Sequence, residues 1–299
     1  MHMLTKLAAI VMAISTPAFA QSLTAERNGA EALSERISVE VEGDGSDVIL
    51  VHGLASSTAV WADLTDSLRQ NHRVHLVQIA GFAGHSAPDE AGELVVAPAA
   101  EALADYIRSN AIEDPAVIGH SLGGELGLML AARHRDLIDR LMVVDAMPFY
   151  SLIINPEATE DNMEAQASAF RDATLSASKA QMEARQAATI ARLVKTEEER
   201  PAIIEATLSS DRETVAKAVY ELMTTDLRPE LDRITVPLKV VYAYDTVYGV
   251  PPEQIDANFS QAYSSSSTAS FERIDGSYHF IMLDKPEAFE QAVASFLGQ

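Results

Sequence analysis

Seven short apolar runs separated by helical segments constrain this chain more than any other feature. Ile37 to Val41 alternates as a half-buried strand does. Asp47 to His52 (DVILVH), Arg73 to Ile79 (RVHLVQI), Pro115 to Gly119 (PAVIG), Arg140 to Asp145 (RLMVVD), Leu238 to Ala243 (LKVVYA) and Ala269 to Ile274 follow. Most are continuous and rich in β-branched residues, as strands buried on both faces are. Between them, Leu94 to Asn110, Ser121 to Arg135 and Pro286 to Leu297 carry apolar residues at three- and four-residue spacing. That alternation implies an α/β fold, a mostly parallel central sheet wrapped by helices. In such sheets reactive groups gather at the carboxyl ends of the strands.

One stretch breaks the rhythm. Residues 146–237 contain no convincing strand and are rich in Ala, Glu, Gln and Met (EDNMEAQASAF, SKAQMEARQAATIARLV). The expectation is an all-helical lid inserted into a core made of 21–145 and 238–299. Met147, Met163, Met182 and Met223 lie in or near it. They read as packing residues first and as an adaptable apolar lining second.

The first twenty residues read separately. MHMLTKLAAIVMAISTPAFA has a short start carrying Lys6, an apolar run and a closing Ala-Phe-Ala. This is the layout of a secretory signal peptide cleaved after Ala20, and the apolar run is short for a membrane span. The expectation is a periplasmic or secreted protein with no membrane insertion after cleavage. The chain has 22 Lys and Arg against 44 Asp and Glu, a net charge of −22. Nucleic acid and anionic membrane surfaces would repel it. Cys is absent from its 299 residues, which excludes disulfides, thiolate nucleophiles and cysteine-ligated metals.

The chemistry concentrates at three points. Gly119-His120-Ser121-Leu122-Gly123-Gly124 follows an expected strand and opens an expected helix. A sharp strand-to-helix turn thrusts Ser121 outward, and the flanking glycines remove side chains that would clash. The helix's positive end then favours a developing anion. Ser121 is the candidate nucleophile. His52-Gly53-Leu54 follows the first buried strand, and the amides of Leu54 and Leu122 would form a two-donor oxyanion hole. The base must be a histidine beyond Ser121. His134 lies thirteen residues along the same helix, about 20 Å away by helical rise. His279, in the loop after the last strand, is therefore the candidate base. For the acid, Asp245 lies past the penultimate strand and Asp145 ends the strand before the lid. Chain order and loop position favour Asp245.

VHGLASSTAVW, AGFAGHSAP, VIGHSLGG, DLRPELDRITVPLKVVYAYD and GSYHFIMLDKPEAF together resemble the α/β-hydrolase superfamily over residues 34 to 299. The resemblance implies Ser121, Asp245 and His279 as catalytic residues, with Leu54 and Leu122 as oxyanion donors. Two departures stand out. Ala243 occupies the place of a glycine, with Asp245 arriving one residue early, which keeps Asp145 in contention. Gln78 replaces an aspartate.

A serine at the elbow, where epoxide- and halide-cleaving relatives carry aspartate, points to attack on a carbonyl through an acyl-enzyme. The leading expectation is an exported esterase of small to medium apolar substrates, needing no cofactor and no metal. His85 and His120 flank the site without clustered partners for a metal. Lactones, amides, diketones and perhydrolysis are alternative chemistries, and a non-catalytic binding protein on the same fold is the alternative from another class.

Overall fold

The computed structural model describes residues 35–89 and 92–298. The proposed leader peptide lies outside the described residues. Among the described residues seven strands form one sheet: β1 (Ile37–Glu42), β2 (Ser46–Val51), β3 (His72–Ile79), β4 (Ala116–His120), β5 (Arg140–Val144), β6 (Leu238–Tyr244) and β7 (Ala269–Asp275). Their order is β1-β3-β2-β4-β5-β6-β7. Only β1 runs antiparallel, against β3. Every apolar run seen in the sequence is a strand, displaced by a residue or so at its ends.

Apolar side chains on both faces explain why these strands sit inside. Ile49, Val51, Val77, Val117, Leu141 and Val143 face one core, which is filled by α2 (Val96–Ser109) and α3 (Leu122–Arg133). Val48, Leu50, Val74, Ile118, Met142 and Val144 face the other. Trp61, α1 (Ala62–Leu68) and α10 (Pro286–Leu297) close that side. A side chain of Leu or Phe size contributes about 1.5–3 kcal/mol when wholly buried. The two-sided burial therefore drives the layered architecture.

Residues 146–237 form an insertion between β5 and β6, with α4 (Glu160–Ser176), α5 (Lys179–Leu193), α6 (Arg200–Ser209) and α7 (Arg212–Thr224). The breaks between helices follow from their caps. Thr159 with Asn162, and Ser178 with Gln181, form reciprocal capping boxes, and the Asp211 carboxylate accepts the Thr214 N–H. The insertion straddles the sheet. Met163 of α4 and Val215, Val219 and Leu222 of α7 join the first core. Ile190 of α5, Val194 and Ile203 of α6 join the second, beside Phe280, Ile281 and Met282. Met147, Met163 and Met223 are buried in packing. Glu221 of α7 ties the insertion to the core: its carboxylate accepts the Val95, Val96 and Ala97 N–H groups at 2.6, 2.7 and 2.8 Å, capping α2. Among the described residues no helix is long and apolar enough to cross a membrane.

Candidate active site

Ser121 stands between the end of β4 and the start of α3 with φ 54° and ψ −120°. A non-glycine residue in that region is strained. The turn is held by the Ser121 N–H donating to Val144 O at 2.9 Å and by Ser121 O accepting from Gly124 N–H at 2.8 Å. Its tightness explains the glycines. A Cβ at Gly119 would run into the Gly123 carbonyl, and one at Gly123 into the Val51 and His52 carbonyls. The Leu122 N–H, at the first turn of α3, is taken by no acceptor among the described residues.

The loop after β2 passes directly over the elbow. A Cβ at Gly53 would come within 3.0 Å of His120 Nδ1 and 3.1 Å of Ser121 Cβ. The Leu54 N–H also lacks an acceptor among the described residues, and Ala55 holds φ 51°. His52 fixes this loop. Its Nε2 accepts the Ile79 N–H at 3.1 Å, so its Nδ1 carries the hydrogen and donates to Gly53 O at 2.8 Å. Full burial pushes the His52 pKa down to about 4, which keeps the ring neutral in that tautomer.

His279 follows β7 and turns back across the strand ends. Its Nδ1 donates to Asp145 Oδ2 at 2.6 Å. The ring packs on His120 with centroids 4.5 Å apart, and His120 Nε2 donates to His279 O at 3.1 Å. Burial, with His279 close by, holds the His120 pKa well below its ordinary value. His279 and Asp145 remain partly open, with 21% and 15% of their side-chain surfaces exposed. No hydrogen bond joins Ser121 to His279 among the described residues, and such bonds are often long before substrate binds.

The carboxylate beside the imidazole differs from the one favoured by chain order. Asp145, not Asp245, meets the imidazole. Asp145 directly follows β5, the strand next to the one that Ser121 follows, with φ 49°. Its N–H donates to Val241 O at 2.7 Å, and its Oδ1 accepts the Ala243 N–H at 2.9 Å. One carboxylate oxygen is thus anchored to β6 and the other is left for His279. Asp245 lies one strand further out and is engaged elsewhere. Its Oδ2 accepts from Lys195 Nζ at 2.7 Å and its Oδ1 from the Val247 N–H at 2.9 Å. Those donors, Lys195 first, lower its pKa. The displaced position of Asp245 and the Ala at 243 were the sequence signals for this exchange.

Other expected residues fall into place around this centre. His134 caps the far end of α3, where its Nε2 faces Glu101 at 3.1 Å. Gln78 accepts the Thr58 N–H at 3.3 Å and donates to Ile79 O at 3.0 Å, which steadies the chain beyond the loop after β2. Among the described residues, no three His, Asp or Glu side chains are grouped to hold a metal ion, so His85 and His120 have no such company. Sequence reading missed the buried Glu125, four residues past Ser121. Burial, and then the nearby Glu221, raise its pKa well above the usual carboxylate range. Its helix-face spacing in LGGELGLML was the available signal.

Comparison with known proteins agrees with this architecture. A family model described as alpha/beta hydrolase fold matches residues 48–286. The pimeloyl-acyl-carrier-protein methyl ester esterase of Vibrio cholerae is 27% identical over 260 residues, covering 86% of this chain and 96% of its own. A hydrolase from Pseudomonas aeruginosa superposes with a TM-score of 0.73 at 22% identity, over 88% of this chain and 94% of that one. An enol-lactonase from Burkholderia xenovorans gives 0.70 at 20% identity, over 88% and 96%. The match along four-fifths of the sequence, on a sheet with a strained serine elbow, makes this chain a member of the alpha/beta hydrolase fold family.

Proposed function

We propose that this protein is an exported serine hydrolase of carboxylic esters, with Ser121 as nucleophile, His279 as general base and Asp145 as the acid that orients it. The observation that carries the reading is the 2.6 Å bond from His279 Nδ1 to Asp145, made beside a strained serine whose neighbouring Leu54 and Leu122 amides meet no acceptor among the described residues. A carboxylate accepting from Nδ1 leaves Nε2 unprotonated and able to take a proton.

In this mechanism Ser121 Oγ attacks the ester carbonyl carbon while its proton passes to His279 Nε2. The carbonyl oxygen becomes an anion held by the Leu54 and Leu122 N–H groups at the positive end of α3. Collapse expels the alcohol, which receives the proton from His279, and leaves an acyl group on Ser121. Water, deprotonated by His279, then releases the carboxylic acid and restores the serine. The helical insertion serves as a lid over the strand ends.

The substrate is an uncharged or weakly charged ester of small to medium size. The relatives named as methyl ester esterases support a carboxylic ester, and the net charge of −22 disfavours anionic substrates. Export rests on the leader-like first twenty residues. A series of p-nitrophenyl esters of increasing acyl length tests the reading, with a lactone and an aryl amide alongside. Turnover of the esters, labelling of Ser121 by a fluorophosphonate and loss of both in Ser121→Ala are the expected results. Absence of turnover and of labelling would favour a binding protein. N-terminal sequencing of the exported protein should begin at Gln21.

A further inference from the structure

The loop that carries His279 is built jointly by the sheet and by the insertion. The Phe280 N–H donates to Leu193 O at 3.1 Å, at the end of α5. Asp284, in the short helix α9 (Ile281–Asp284), accepts the Tyr278 N–H at 2.8 Å. The same carboxylate accepts the Lys195 N–H at 3.0 Å and the Thr196 N–H at 2.9 Å, both from the insertion. The Lys195 side chain completes the junction. Its Nζ donates to Asp245 Oδ2 at 2.7 Å and to Gly276 O at 3.0 Å. Arg200 in turn holds this stretch, donating to Val194 O at 2.9 Å and Lys195 O at 3.1 Å.

We propose that Lys195 is a positioning residue for His279, joining the insertion to the histidine loop through Asp245, Gly276 and Asp284. The inference rests on His279 being the general base. It gives Asp245 a role: counter-ion of the positioning lysine, in place of partner to the imidazole.

Two observations separate this junction from an ordinary surface ion pair. Such pairs contribute little when both partners are exposed. Here Asp245 has only 12% of its side chain exposed, and the lysine also bonds a carbonyl three residues before His279. The segment is also braced from below, since Ile190, Val194 and Ile203 pack in one cluster with Phe280, Ile281 and Met282. Removing the Lys195 side chain therefore loosens the His279 loop at Gly276, while the Asp284 contacts and the Asp145 anchor on β6 stay intact.

The test combines kinetics with a readout that does not need turnover. Lys195→Met and Asp245→Asn are compared with wild type and with the double variant. Lys195 has 46% of its side chain exposed, so its replacement should leave the fold intact. Each single variant should lower kcat about tenfold with little change in KM, the penalty of a misplaced catalytic group. The double variant should lose no more than either single one, and Lys195→Arg should recover most of the rate. The His279 imidazole resonance is observed directly alongside the kinetics. In the single variants that resonance and the Tyr278 amide exchange rate should both change. Unaltered imidazole signals and amide exchange, or losses that add in the double variant, overturn the proposal. If wild type hydrolyses no ester, the functional reading fails, and the resonance and exchange measurements still decide whether Lys195 positions the loop.

Discussion

Replacing Asp145 by Asn isolates the acid's contribution with almost no change of volume. The structure dictates which way the new amide must face. Oδ1 of Asp145 accepts the Ala243 N–H at 2.9 Å, so the Asn carbonyl must take that position. The NH2 group then occupies the place of Oδ2, 2.6 Å from His279 Nδ1. Two donors cannot face each other, so Nδ1 must give up its hydrogen and become the acceptor. The hydrogen moves to Nε2, and an Nε2–H cannot accept the serine proton. Wrong-tautomer histidines of this kind lose about 10³- to 10⁴-fold in kcat, about 4–5.5 kcal/mol of barrier. Asp245→Asn removes only the partner of Lys195 and should cost about tenfold. Initial rates on a p-nitrophenyl ester, with thermal melts to show that both variants fold, make the comparison. Asp145→Asn within tenfold of wild type, or a collapse confined to Asp245→Asn, would falsify the assignment.

Three further outcomes follow from local physics. Ser121→Gly should abolish hydrolysis yet stabilise the fold by about 1–3 kcal/mol, because glycine accepts φ 54° without strain; a lower denaturant midpoint would contradict the strained elbow. His52 is held neutral, with its pKa depressed to about 4 from 6.5, so the unfolded chain binds the extra proton first as the solution is acidified. Stability should fall between pH 6.5 and 4, by up to about 3 kcal/mol from this group, and a melting temperature flat across that window would count against it. Glu125 has the opposite sign. Its raised folded pKa means that the unfolded chain releases its proton first, so stability is full below about pH 4.5 and declines as pH rises toward the folded value. Glu125→Gln should therefore raise the melting temperature at neutral pH and leave it nearly unchanged at pH 4, as paired scans at the two pH values would reveal.

The sheet was legible because burial on both faces writes itself as unbroken apolar runs. DVILVH and RLMVVD admit few other readings. The antiparallel direction of β1 was not legible, since alternation reports a face and not a direction. Two helices left faint traces. α1 has only seven residues, and in α8 (Pro252–Ala262) only Phe259 and Ala262 are buried, too few for a period to emerge. Ser121 could be read from its glycines because close backbone approach leaves a compositional mark. His279 followed by elimination. The carboxylate that meets His279 was not legible, because chain order ranks candidates along the sequence, whereas the pairing is made sideways across the sheet. Nothing local to Asp245 tells that Lys195, 50 residues earlier, claims its carboxylate.

Backbone strain offers an independent pointer to the same centre. Six described non-glycine residues have positive φ: Ala55, Ala83, Ala111, Asp114, Ser121 and Asp145. Ala111 and Asp114 lie between α2 and β4, at the entry to a strand. Ala55, Ser121 and Asp145 follow β2, β4 and β5, three neighbouring strands, at their carboxyl ends. Each costs of order 1–3 kcal/mol, and neighbours must hold it in place. Those neighbours are on view: His52 grips the loop after β2, Val144 O receives the Ser121 N–H, and Val241 O receives the Asp145 N–H. Each grip hands the strain to the next element, from loop to strand to strand. A sheet that fixes three strained residues in a row keeps donors, hydroxyl and carboxylate aimed before any substrate arrives. Preorganisation of that kind is what a catalytic site requires and what a passive binding pocket does not.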